Sequence, residues 1–136
     1  MKRLLLFFAF IFYINFSFSQ SWGIVGSSTP NSWGGPDIPM TYNVDSAIWE
    51  ATVELTDGEI KFRENNSWDL NYGDTGFDGS IEINGANIPV SAGYYRVSLD
   101  LKPEALTYTL ESFQNLFNGS WKVASETGAL KVGPSE

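Results

Sequence analysis

IWEATVELTDGEIKFRENNSWDLNYG, residues Ile48 to Gly73, decides the fold. Trp49, Ala51, Val53 and Leu55 alternate with Glu50, Thr52 and Glu54. Successive strand side chains point to opposite faces, so this alternation reads as a half-buried antiparallel strand. Asp57-Gly58 is a hairpin-type turn, expected to lead directly into a second strand over Glu59 to Arg63. There Ile60 and Phe62 take one face, and Lys61 and Arg63 the other. The pattern then breaks into the polar turn Glu64-Asn65-Asn66-Ser67 and presents Trp68 immediately after it. A Trp at a loop rim, beside amides and two cations, lacks the apolar neighbours of a core Trp. It suits a flat ligand with hydroxyls around its edge, such as a sugar ring.

The same short-strand pattern extends both ways. Upstream, Trp22 to Gly26 reads as a strand, Ser27 to Pro39 as a Ser/Gly/Pro/Asn-rich loop carrying Trp33, and Met40 to Asn43 as a short strand. Downstream, Asp69 to Gly79 reads as a glycine- and aspartate-rich loop, and Ile81 to Ile83 as a strand closed by the turn Asn84-Gly85. Asn87 to Val90 is an edge candidate, because Pro89 cannot donate to a ladder. Tyr95, Val97, Leu99 and Leu101 alternate with polar residues, as do Leu106, Tyr108 and Leu110. Seven or eight antiparallel strands at this spacing, with no convincing helix, predict an all-β sandwich.

The N-terminus carries an export signal. Lys2 and Arg3 precede an apolar run from Leu4 to Ile14, and Ser17-Phe18-Ser19 is a small-x-small cleavage site. The apolar run is shorter than the ~20 residues of a membrane-spanning helix. The expected organisation is a signal peptide over 1–19, a β-sandwich over 20–112, and a segment over 113–136. In that last segment Trp121-Lys122-Val123 suggests a strand with nothing in the chain to pair it. Two readings stand for it, a linker opening a truncated second module and a tail. Removal of the signal leaves about 117 residues, enough for one core.

The chain has no cysteine and no histidine, so disulfides, thiol chemistry and the commonest general base are absent. Net charge is −8 overall. The signal holds two of the eight cations and none of the sixteen acids, so the exported chain carries −10. Lys61 with Arg63 is too small a basic patch for nucleic acid or anionic lipid. Neutral glycans are indifferent to this charge.

The stretches WGIVGSSTPNSW (Trp22 to Trp33), IPMTYN (Ile38 to Asn43), Trp49 to Gly73 and ANIPVSAGYYRVSLDL (Ala86 to Leu101) together resemble the starch-binding domains of the SusE/SusF outer-membrane proteins of Bacteroidetes. The segment SWDLNYG (Ser67 to Gly73) also looks like the modules attached to bacterial pullulanases, and the layout of a Trp loop, a turn, an IKF strand and a second Trp is similar to glycogen-binding β-sandwich modules. The resemblance spans roughly two-thirds of the chain. It implies an immunoglobulin-like sandwich that binds α-1,4-glucan without cleaving it. By motif position it places the first platform Trp at Trp33, the hydroxyl-binding lysine at Lys61 and the second platform Trp at Trp68. SusE/SusF-type proteins are usually lipid-anchored through a cysteine and carry several such domains; this chain has no cysteine and one complete domain.

The residues add further candidates. Arg63 offers a planar fork of donors. Asn65 and Asn66 each carry a donor and an acceptor suited to vicinal hydroxyls, and are equally ordinary turn residues. Tyr72 is a third surface or a brace for the Trp68 loop. Trp49 and Trp22 read as core. Asp69, Asp74 and Asp78 do not match a calcium-loop spacing and read as a plain acidic loop. No metal or cofactor is expected, and no pair of carboxylates stands out for glycosidase chemistry. The expected partner is α-glucan, with other modules or proteins of a starch-uptake system beside it and no nucleic acid. The expected location is the outer membrane or cell surface, or the medium. The rival reading is a structural or adhesion sandwich with no sugar ligand, in which Trp33 and Trp68 are buried or far apart and Lys61 points away from both; the glucan reading has all three side chains converge on one exposed patch. An enzyme reading requires a cleft with paired carboxylates.

Overall fold

The computed structural model describes residues 19–113, 121–126 and 129–134, the last two stretches as backbone. Ten strands lie between Trp22 and Ser112: β1 (Trp22–Val25), β2 (Ile38–Pro39), β3 (Thr41–Asn43), β4 (Ile48–Leu55), β5 (Gly58–Glu64), β6 (Asn71–Gly73), β7 (Glu82–Ile83), β8 (Ile88–Val90), β9 (Gly93–Asp100) and β10 (Thr107–Ser112). They form an all-β sandwich of two antiparallel sheets. The first runs β2-β1-β5-β6-β7, with β8 also paired to β5, and the second runs β10-β9-β4-β3. The export signal expected over 1–19 falls outside the described residues, apart from Ser19.

The inward residues of both sheets make one core. Ile24, Ile60 and Phe62 from the first sheet meet Val53, Leu55, Val97 and Leu99 from the second, all buried. Trp22, Met40, Ile81 and Ile88 close its margins, and the Phe62 and Tyr108 rings meet 5.8 Å apart across the layers. Burying each large apolar side chain contributes roughly 1.5–3 kcal/mol. Both long alternating strands take their expected faces. Pro89 sits in β8 opposite Glu59 and is exposed, as an edge position for a residue without an N–H requires.

Ten strands stand where seven or eight were expected, one of them β2 inside the expected Ser27 to Pro39 loop, and three further features differ from the sequence reading. First, Asp57-Gly58 does not close a hairpin. β4 pairs with β3 and β9, β5 pairs with β1, β6 and β8, and the turn between them crosses from one sheet to the other. Thr56 N–H donates to the Ser28 carbonyl (3.1 Å), Glu59 N–H to Ser27 Oγ (2.9 Å), and Ala92 N–H to Asp57 Oδ1 (2.7 Å). The crossing lets Val53 and Leu55 face Ile60 and Phe62 across the core. Second, the glycine-rich loop expected from Asp69 contains β6, which makes the actual hairpin with β5 through Phe62↔Tyr72 and Arg63↔Asn71. Third, the strand expected near Trp121 does have a partner. β11 (Trp121–Glu126) pairs with β12 (Ala129–Pro134) as a separate two-stranded sheet.

Candidate functional site

The site grows from one glycine in β1. Gly23 lies opposite Arg63 in the β1–β5 ladder, on the outer face of the first sheet. A Cβ there would fall 2.5 Å from Asp37 Cβ, so only glycine lets Asp37 lie flat on the strand. Asp37 uses that space to meet Arg63. Arg63 Nε donates to Asp37 Oδ2 at 2.7 Å and Oδ1 at 2.9 Å, and Nη2 donates to Oδ1 at 2.6 Å. Both side chains are buried, 3% and 2% exposed. Gly35, at φ +76°, packs over the guanidinium where a Cβ would approach Nη2 to 2.6 Å.

Arg63 Cζ lies 4.6 Å from the centroid of the Trp68 ring. A cation over an indole face contributes about 0.5–2 kcal/mol, more when desolvated. The ion pair thus supports one face of Trp68, while the residue as a whole stays 45% exposed. Trp33, in a 3-10 turn over Ser32–Gly34, is half-buried beside it. The two ring centroids are 6.1 Å apart and the ring planes meet at 37°. Two aromatics from separate loops therefore form one tilted surface.

Amide side chains lock the two loops together. Asn66 Oδ1 accepts from Asp37 N–H at 2.8 Å, tying the Trp68 turn to the Trp33 loop. Asn65 Oδ1 accepts from Ser21 N–H (3.1 Å) and Ser21 Oγ (3.0 Å). Asn65 and Asn66 both take positive φ, 52° and 55°, a conformation asparagine tolerates better than most residues. Both are exposed. Asn71 Nδ2 donates to the Trp68 carbonyl at 3.2 Å and to Asn84 Oδ1 at 2.9 Å, fixing the loop from below.

Not every residue expected at the site faces it. Trp33 and Trp68 come together, and Asn65 and Asn66 flank them. Lys61 shares the outer face of β5 with Arg63, half-buried near Glu82. Burial lowers the pKa of its ammonium group, and Glu82 opposes that effect. Arg63 differs from the expected role of sugar donor: its Nε and Nη2 bond Asp37 and its plane lies against Trp68, so it acts beneath the platform. Tyr72 also differs from its place among the sugar contacts. Paired with Phe62, it turns inward, packs on the core and meets Trp22 at 5.5 Å. Asp37 had no role in the sequence reading. Its partner lies 26 residues away, and nothing local marks a carboxylate for burial.

The acidic loop has a structural task. Asp74 is buried, and its Oδ2 accepts from Gly79 N–H (2.9 Å) and Tyr108 O–H (3.1 Å). Burial alone raises its pKa, but the Gly79, Asp78 and Phe77 amides and the Tyr108 hydroxyl outweigh that and hold it below the usual carboxylate range. Tyr108 is pushed up to about 12 by burial and by Asp74. No group of three or more acidic, His or Cys side chains among the described residues is placed to hold a metal ion. No family model, curated protein or solved structure matches the chain.

Proposed function

We propose that this protein binds α-1,4-glucan without cleaving it, through the Trp33–Trp68 surface. One observation carries the reading: two Trp rings from different loops lie 6.1 Å apart at 37°, one of them 45% exposed and backed by a buried ion pair. Trp offers a large apolar face for the C–H face of a pyranose. A tilt between two such faces follows a coiling chain better than a flat pair does. The sugar's hydroxyls need in-plane partners, since each one desolvated and left unpaired costs roughly 1–3 kcal/mol. Asn65 and Asn66, which flank the pair, supply them.

An open site of this size binds weakly, because ligand ordering and desolvation offset a small contact. Retention then depends on several linked sites, consistent with action beside other modules or proteins of a starch-uptake system. The protein works exported, at the outer membrane or cell surface or in the medium. The rival structural sandwich expects Trp33 and Trp68 buried or apart, and their adjacency and the exposure of Trp68 count against it.

Native affinity electrophoresis in amylopectin tests the proposal, with a non-glucan gel as control. The wild type is expected to be retarded only in amylopectin, and folded Trp68→Ala to migrate freely. Free migration of the folded wild type in amylopectin overturns the reading.

A further inference from the structure

A second aromatic pair lies at the same end of the sandwich, outside the surface just described. Tyr42 in β3 faces Trp49 in β4 with ring centroids 5.2 Å apart and planes at 53°. Trp49 packs on the core, but Tyr42 is 45% exposed. The pair forms one wall of a concavity of about 500 Å³, completed by Gln20, Leu101, Lys102 and Pro103. That volume falls within the roughly 300–1,000 Å³ of small-molecule sites.

The lining specifies the ligand's chemistry. Lys102 is the one cation among the described lining side chains, and Asp100 pairs with it at 3.0 Å; the Lys102 Nζ also donates weakly to the Ser46 carbonyl at 3.5 Å. Among these described side chains, the one cation is therefore paired. An aromatic wall with apolar Leu101 and Pro103 beside it suits a ring's C–H face. The Gln20 amide brings a donor and an acceptor suited to hydroxyls. The two aromatic pairs are also linked through the chain. Gln20 lines the concavity, and the next residue, Ser21, is bonded to Asn65 in the turn that presents Trp68.

We propose that the Tyr42–Trp49 concavity is a second sugar subsite, taking one neutral pyranose unit. For the identity of that sugar, a glucose unit, it rests on the glucan reading of the Trp33–Trp68 surface.

Titration with maltose, following the assigned indole N–H resonances by two-dimensional NMR, tests this. The Trp49 resonance is expected to move saturably in the wild type and in Trp68→Ala. In Tyr42→Ala its apparent affinity is expected to fall at least tenfold, with the Trp33 and Trp68 responses unchanged. Tyr42→Leu keeps an apolar cover on Trp49 and serves if the alanine variant does not fold. A stationary Trp49 beside moving Trp33 and Trp68 overturns the second subsite and leaves the first standing. A moving Trp49 beside stationary Trp33 and Trp68 supports the subsite while the platform fails. No indole responding overturns both.

Discussion

Asp37 and Arg63 form a closed ion pair 2.6 Å apart beneath the exposed Trp68 ring. Removing one member strands the other charge in a buried setting, which costs about 3–5 kcal/mol. Asp37→Ala and Arg63→Ala are each expected to lower stability by that amount in urea titrations. Asp37→Ala with Arg63→Met leaves no buried charge, so the double variant is expected to lose less than the two singles summed. Strict additivity would show that the two residues act independently.

The turn bearing Trp68 depends on Asn66 twice, once for its positive φ and once for its bond to the Asp37 amide. Asn66→Gly keeps the conformation and loses the bond, at a cost of about 0.5–1.5 kcal/mol. Asn66→Ala loses both, and the left-handed conformation adds about 1–2 kcal/mol. Chemical denaturation is expected to rank them wild type, glycine, alanine. Equal losses in the two variants would mean that the backbone conformation contributes nothing.

Tyr108 and Asp74 give the sandwich a two-sided pH dependence. The folded state raises the Tyr108 pKa from about 10 in the unfolded chain to about 12. Its stabilising share is therefore complete below pH ~10 and is lost as pH rises through about 12. Asp74 is held below its ordinary value, so its share is present above the unfolded carboxylate pKa of ~3.9 and is lost as pH falls through the lower folded value. Tyr108→Phe removes the hydroxyl, and its stability is expected to fall less steeply than wild type between pH 10 and 12. Parallel alkaline profiles would place the titrating group elsewhere.

Much of this organisation was legible in the sequence because it depends on local period. Ile48–Leu55 and Tyr95–Leu101 each alternate over seven or more residues, and both occupy strands with the expected face inward. Trp68 was legible because a polar turn precedes it. The crossing at Asp57-Gly58 was not, since strand–turn–strand reads alike for a hairpin and for an arch between sheets. The choice is made by Ser27, Ser28 and Ala92, far away in sequence. β6 was hidden because Asn71 and Gly73 carry no strand preference; it forms by adding to the free edge of β5. The inward turn of Tyr72 and the pairing of Arg63 with Asp37 were hidden for a related reason. Register across β5 and β6 sends Tyr72 inward, and a distant carboxylate draws Arg63 beneath the platform.

The strongest link between an invisible residue and the exposed surface runs through Gly23. It is buried beneath Asp37, and an alanine Cβ there would lie 2.5 Å from Asp37 Cβ and 3.2 Å from the Ile38 carbonyl oxygen. Asp37 is already confined by its bonds to Arg63 and Asn66, so it can yield only by leaving them. Gly23→Ala is therefore expected to cost about 1–3 kcal/mol through overpacking and to weaken amylopectin retardation. Gly34 supplies the control. It adjoins Trp33 in sequence, yet a Cβ on it meets nothing within 4 Å. Gly34→Ala is expected to leave retardation unchanged and stability equal or slightly higher, since alanine reduces the freedom of the unfolded chain. If Gly23→Ala folds and binds like the wild type, Asp37 does not position the platform, and the support for Trp68 must come from Asn66 and Asn71 alone.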